Sequence, residues 1–337
     1  MAEPMASRII WMSAAALAAL ALQAAAADPP RVDRLAEPRV RSLRFTYEVR
    51  VRDVPAGASS AYLWLPYPPE TTEQTVEDLV VDSRLEHEVV SEARYGNRAL
   101  RFQLRPGPAE QKVSVSFDVT RRELVNRPAA AARSSNGASP AELALWLEPD
   151  RRVPLDDQVR SWARQAVGER TQPLQRARAI YDYTVTSLKY DKTGTGWGQG
   201  DIYWACDAKR GNCTDFHAVF IGYARALGIP ARFEIGFPLP PERREGELPG
   251  YHCWAVFHLA GQGWIPVDAS EAHKHPDKRD YFFGALDENR VVFTTGRDLV
   301  FPGMKAAPIN YFIYPHAEVD GRPHAAIERR VTYRDLD

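Results

Sequence analysis

From Val40 the chain alternates: Leu43, Phe45, Tyr47, Val49 and Val51 are separated by Arg44, Thr46, Glu48, Arg50 and Arg52. A period of two sends the two sets to opposite faces, so this stretch predicts a half-buried strand. AYLWLPYP, EDLVVDS, LEHEVVSEARY, RALRFQLRP and QKVSVSFDVTRREL predict further strands, and Tyr95-Gly96-Asn97 a hairpin turn. About six strands over residues 40–125 predict an antiparallel β-sandwich. His87 stands alone there and reads as a surface histidine. With no Cys-His-Asp set, the segment reads as a scaffold or one wall of a substrate cleft.

Residues 126–150, opening with the low-complexity NRPAAAARSSNGASP, read as a linker. Helical patterning then takes over. DDQVRSWARQAVG and PLQRARAIYDYTVTSLKY are amphipathic, with starts at Asp156 and Pro173. Ala177, Ile180, Tyr181, Thr184, Val185 and Leu188 recur at three-four spacing and predict a core-facing stripe. The Gly- and Thr-rich stretch 191–201 predicts a mobile loop. RGNCTDFHAVF opens another helix, capped by Asn212 and stopped at Gly228-Ile229-Pro230. GYHCWAVFHL and GQGWIPVDAS then predict two strands joined through Gly261-Gln262-Gly263. YFFGAL completes this region over residues 151–285. RVVFTT, NYFIYP and AAIERRVTYRDL make residues 286–337 a C-terminal β extension with a closing strand, of no assignable function. The class is α+β.

The first 27 residues stand apart. Arg8 precedes an apolar run, Ile9–Leu22, interrupted only by Ser13, and Gln23-Ala24-Ala25-Ala26-Ala27 supplies small residues before Asp28. This predicts a cleaved signal peptide, with an uncleaved membrane anchor as the alternative. Residues 28–39 read as a linker. The expected location is the periplasm or the medium, with no stable membrane insertion after cleavage.

The 337 residues carry 43 Lys and Arg against 44 Asp and Glu. Without a basic stripe interleaved with aromatics, nothing points to nucleic acid. No acidic loop has calcium-ligand spacing, and the Cys and His spacing matches no zinc site, so no metal and no cofactor are expected. His273 and His275 read as surface histidines.

The chemistry concentrates at Cys213. A thiol in a first helical turn feels the positive end of the helix dipole, which favours the nucleophilic thiolate. Neighbouring antiparallel strands would set His252 beside Asp268, and packing that hairpin against the helix would give a nucleophile, a base and an orienting carboxylate. His217, one turn after Cys213, can orient a substrate or the other groups, or be a core histidine bonded to a carbonyl. Cys206 and Cys253 remain as a spare pair, either disulfide-bonded or two free thiols. Strand alternation points Cys253 away from His252.

GNCTDFHAVFIGYARALGIPAR followed by GYHCWAVFHLAGQGWIPVDAS resembles the core of the transglutaminase-like superfamily, over roughly residues 150–285. The resemblance implies a papain-like fold after the β-sandwich, with Cys213 as nucleophile, His252 as general base and acid, and Asp268 orienting the imidazole. It also implies an aromatic donor to the oxyanion. Trp204 is the candidate, without a motif match of its own, and can equally be a cleft wall. The expected activity is acyl transfer from a peptide or amide through a thioester, on a peptide or protein substrate of the cell envelope. Hydrolysis is favoured for an exported protein. The alternatives are protein cross-linking, with an amine as acceptor, and a catalytically silent peptide- or envelope-binding protein.

Overall fold

In the computed structural model the described residues are 1, 37–128 and 138–336. The expected signal peptide, residues 28–36 and the middle of the 126–150 linker lie outside them. The chain divides into residues 1–37 and 38–337. Only Met1 and Glu37 of the first unit are described, and all that follows concerns the second.

The elements run β1 (Val40–Arg52), β2 (Ala61–Pro66), β3 (Gln74–Asp82), β4 (His87–Ser91), β5 (Arg98–Gln103), β6 (Glu110–Arg122) and β7 (Leu124–Val125). Then come α1 (Pro140–Leu145), α2 (Asp157–Val167), α3 (Pro173–Ser187), β8 (Lys189–Tyr190), α4 (Ile202–Ala208), β9 (Arg210–Gly211) and α5 (Cys213–Ala226). The chain continues through β10 (Ala231–Pro238), β11 (Glu245–Glu247), β12 (His252–Leu259), β13 (Gly263–Val267), α6 (Ala269–Lys274) and β14 (Ala285–Leu286). It ends with β15 (Arg290–Thr295), β16 (His316–Val319), β17 (Arg322–Pro323) and β18 (Ile327–Asp335).

The alternation from Val40 is realised in β1, where Leu43, Phe45, Tyr47, Val49 and Val51 are each at most 1% exposed. Two antiparallel sheets form the sandwich, in the orders β11-β18-β1-β6-β3 and β17-β16-β2-β5-β4. Neither is built from the N-terminal segment alone. β18 pairs with β1 from Leu43↔Asp335 to Val51↔Ile327, and β16 pairs with β2. The C-terminal segment expected as a separate extension thus supplies strands to both sheets. A strand with unpaired backbone groups must find a neighbour, and sequence separation does not restrict which one.

The third large sheet, β13-β12-β10-β15, carries the helices. Every residue of α5 is buried, with α2, α3, α4 and α6 around it and β12 beneath. A helix buried all round must settle its polar groups internally. Arg225 does so through Asp150 at 2.9 Å and the carbonyls of Glu148 and Ala231. The sandwich and this sheet share one apolar core: the Phe45 ring lies 5.6 Å from Phe237 and 5.3 Å from Phe293, and Tyr47 donates to the Ile313 carbonyl.

Two local expectations change. Part of the expected linker is helical: α1 starts on a Ser139 cap with Pro140 behind it, and the Trp146 that follows stacks on Tyr95 at 4.8 Å. The loop expected to be mobile is held at its end. Asp215 accepts from the Gly198 and Gly200 amides at 2.6 and 2.9 Å. Arg297 donates to the Gln199 and Gly200 carbonyls, and Tyr311 to that of Gly198. Glycine is required here, because Gly200 has φ +59° and a Cβ would lie 2.8 Å from the Thr214 methyl.

Candidate active site

Cys213 is the first residue of α5. Asn212 caps the helix, accepting from the Thr214 amide at 2.9 Å, and Asp215 returns the bond to the Asn212 amide at 2.9 Å. These caps use the amides on both sides of Cys213. Its own N–H has no hydrogen-bond partner among the described residues and is free to meet an oxyanion.

His252 stands at the first residue of β12, opposite Gly236 of β10. A Cβ at Gly236 would lie 1.8 Å from the Val291 carbonyl, so only glycine lets β10 and β15 approach there. His252 Nε2 donates to Asp268 Oδ2 at 2.7 Å. That leaves Nδ1 for the Cys213 thiol, whose charge the imidazole favours.

Asp268 follows β13 and is wholly buried. Its Oδ1 accepts from the Glu271 amide and the Ser270 hydroxyl, both at 3.0 Å, capping α6. Its Oδ2 receives His252 and Arg290 Nη1, the latter at 3.1 Å. Burial alone would raise this carboxyl's pKa. The His252 charge and hydrogen bond, with Arg290, outweigh burial and hold it well below the usual carboxylate range. Burial likewise opposes charge on His252, but Asp268 and then Cys213 raise it to about 10. Burial would raise Cys213 too, yet Cys253 and His252 bring it well below an ordinary thiol. The favoured state is a thiolate–imidazolium pair.

His217 bonds to the backbone. Its Nδ1 donates to the Cys213 carbonyl at 2.8 Å and its Nε2 accepts from the Ala269 amide at 3.2 Å. This pattern is that of the neutral imidazole, and burial depresses its pKa. The ring ties the start of α5 to the start of α6. Trp204 packs its indole nitrogen against Gly196, with the Arg210 guanidinium 6.0 Å from its ring.

Cys206 and Cys253 are free thiols. Cys206 meets the Tyr223 hydroxyl at 3.3 Å. Cys253 does not turn away from the site: its thiol donates to Thr214 Oγ1 at 3.8 Å and lies 3.7 Å from His217 Nδ1. Alternation does hold, since Cys253 faces α5. It is His252, at the strand's end, that reaches round to the same thiol. His273 is also no plain surface residue, linking the Val185 carbonyl to the Tyr190 amide.

Sequence patterns did not single out Arg290, Tyr251 or Tyr311. Tyr311 spends its proton on Gly198, so Tyr251 donates to Tyr311 at 3.1 Å and accepts from Asn212 at 3.0 Å and Thr214 at 2.9 Å. Tyr251 had one signal, its place beside His252. Arg290 and Tyr311 had none. The site is closed, with Cys213 1% and His252 5% exposed. Among the described residues, no helix is long and apolar enough to cross a membrane.

The sequence profile of the transglutaminase-like superfamily matches residues 160–269. An uncharacterized protein of Haemophilus influenzae is 28% identical over 311 residues, covering 80% of this chain and 84% of that one. The structure of a candidate cysteine protease from Cytophaga hutchinsonii superimposes with a TM-score of 0.60 at 19% identity, over 89% of this chain and 93% of that one. That likeness shows the fold alone. The periplasmic domain of TgpA from Pseudomonas aeruginosa overlaps more loosely, with a TM-score of 0.37 at 16% identity over 73% of this chain and 96% of that one. The α+β fold with its papain-like core and the profile match agree: residues 160–269 are a domain of the transglutaminase-like superfamily, a superfamily of cysteine enzymes.

Proposed function

We propose that the chain is an exported cysteine hydrolase that cleaves peptide or amide bonds through a thioester. The observation that carries this reading is His252 held 2.7 Å from the buried Asp268, beside a Cys213 that opens α5 and whose thiolate it favours. Cys213 thiolate adds to the carbonyl carbon, and the oxyanion takes the Cys213 N–H. The imidazolium gives its proton to the leaving nitrogen, the C–N bond breaks, and a thioester remains. His252 then takes a proton from water, whose oxygen attacks the thioester. The acid leaves and the thiolate returns. Asp268 holds the ring and stabilises its charge without itself taking the proton.

The test is mass spectrometry of the protein incubated with peptide and amide libraries, with and without a primary amine. Acyl adducts on Cys213 and release of free acid support hydrolysis. Release as the amine conjugate alone moves the reading to cross-linking. The 1% exposure of Cys213 favours one second reading, a silent binding protein. Saturable peptide binding with no adduct would establish it. Export is tested by N-terminal sequencing of the protein recovered outside the cytoplasm, expected to begin at Asp28.

A further inference from the structure

Arg290 opens β15 and is 2% exposed. Its guanidinium is held on three sides. Nη1 donates to Asp268 Oδ2 and Nη2 to Asp287 Oδ2, both at 3.1 Å, and the group lies 4.9 Å from the centre of the Trp254 ring. Two of these neighbours are anchored in turn. Asp287 accepts from the Asn289 amide at 3.0 Å, and the Trp254 indole donates to Glu234 at 2.7 Å. A planar fork gripped at both ends has one orientation, and it fixes the oxygen it holds.

That oxygen is the one His252 uses: His252 Nε2 and Arg290 Nη1 both donate to Asp268 Oδ2. The groups facing His252 are Cys213 and the neutral His217 from α5, Asp268, Glu271 of α6 at 3.9 Å, and Arg290. Glu271 is itself paired with Lys274 at 2.6 Å. Behind Arg290 stand Asp287 and, from β6, Arg121. The Cys213 thiolate and the carboxylates favour the imidazolium, whereas a second cation on the shared oxygen opposes it by like-charge repulsion. With Arg290 in place His252 stands at about 10. Held more firmly still, the ring would be a poorer acid, since the best proton donor has a pKa near the working pH. We propose that Arg290 is a positioning residue: it fixes the Asp268 oxygen that faces His252 and, as a cation on that same oxygen, keeps the imidazolium able to release its proton to the leaving nitrogen. The last step rests on the hydrolase reading of Cys213 and His252, and the hold on Asp268 and His252 does not.

Nitrogen-15 NMR of the histidine-labelled full-length chain at pH 10 tests it, with the His252 ring identified by its loss in His252→Gln. About half of the parent's His252 rings should be imidazolium there. Arg290→Gln should raise that share to about nine-tenths, the effect of about one pH unit from a neighbouring like charge. Arg290→Lys keeps the charge without the fork and should lie between. Asp287→Asn removes the charge behind Arg290 and should lower the share. Its side chain is 22% exposed, so it carries the test should Arg290→Gln not fold. Turnover is the second readout. Arg290→Gln should slow hydrolysis of an amide several-fold and leave the matching nitrophenyl ester, whose leaving group needs no proton, nearly unchanged. A parent that turns over no amide ends the hydrolase reading and leaves the NMR result to decide the role of Arg290. An imidazolium share unchanged or lowered by Arg290→Gln, or unchanged by Asp287→Asn, overturns the proposal.

Discussion

Cys253 sits at the same buried site as Cys213 and helps to hold that thiol well below the ordinary range, so two cysteines from distant segments act on one site. Burial and the neighbouring thiolate push Cys253 well above an ordinary thiol, so it stays protonated, with its thiol donating to Thr214 Oγ1 at 3.8 Å. Cys253→Ala should raise the pH at which Cys213 becomes alkylable by iodoacetamide. It should also cost about 1–2 kcal/mol of stability through the small cavity left. Alkylation followed across pH 5 to 9 with peptide mapping checks the first effect, and denaturant unfolding the second. An unchanged alkylation midpoint would rule out an influence of Cys253 on the Cys213 thiol.

Asp268 serves four partners with two oxygens, and its substitutions should separate accordingly. Asp268→Asn keeps an acceptor for the α6 cap but loses the charge facing His252 and Arg290. We expect turnover to fall by roughly four orders of magnitude, as for orienting carboxylates in triads, with the fold retained. Asp268→Ala also leaves Arg290 buried beside Asp287 alone, and breaking a buried pair costs about 3–5 kcal/mol. Turnover and thermal unfolding of both variants check this. An Ala variant as stable as the Asn variant would remove Arg290 from the account.

The charged pair also sets a pH window. The pKa of His252 is raised in the folded state, to about 10, so its contribution to stability is full below the unfolded value of about 6.5 and is lost as pH rises through about 10. The pKa of Asp268 is depressed, so its contribution is present above about 3.8 and is lost as pH falls through its lower folded value. Asp268→Asn removes the largest influence raising His252, so the alkaline limit should move down. Thermal unfolding from pH 4 to 10 for parent and variant measures the shift, and superimposable profiles would contradict it.

Asp215 bonds three backbone amides, those of Asn212, Gly198 and Gly200. Asp215→Asn cannot accept all of them equally well and should destabilise by about 1–3 kcal/mol. It should also speed proteolytic cleavage within residues 191–201. Limited proteolysis with fragment mapping reads this directly, and an uncut loop would place the anchoring elsewhere, on Arg297 and Tyr311.

Because β18 lies between β1 and β11, removing residues 327–337 should expose the β1 edge and the side chains packed under Val331 and Tyr333. We expect an insoluble or unfolded product, judged by solubility and far-UV circular dichroism. A soluble, cooperatively folding truncation would show that the sheet closes without β18.

Local pattern carried much of this. The alternation of β1, the Asn212 cap and the run from β12 through β13 to Asp268 are short-range features, set by side-chain periodicity and by which residues can cap a helix. They put Cys213 at a helix start and His252 one hairpin from Asp268 before any tertiary contact is considered. Ser139-Pro140 was a start signal of the same kind, hidden by the low-complexity run before it. The rest depended on contacts that sequence distance does not constrain. The pairing of β18 with β1 joins opposite ends of the chain, because an open strand accepts any neighbour of suitable register. Cys253 meets Cys213 because α5 packs on its face of β12. Arg290 reaches Asp268, and Tyr311 reaches Gly198, across chain segments whose local patterns give no hint of the contact. Periodicity decides which face a residue occupies, and only packing decides what that face meets.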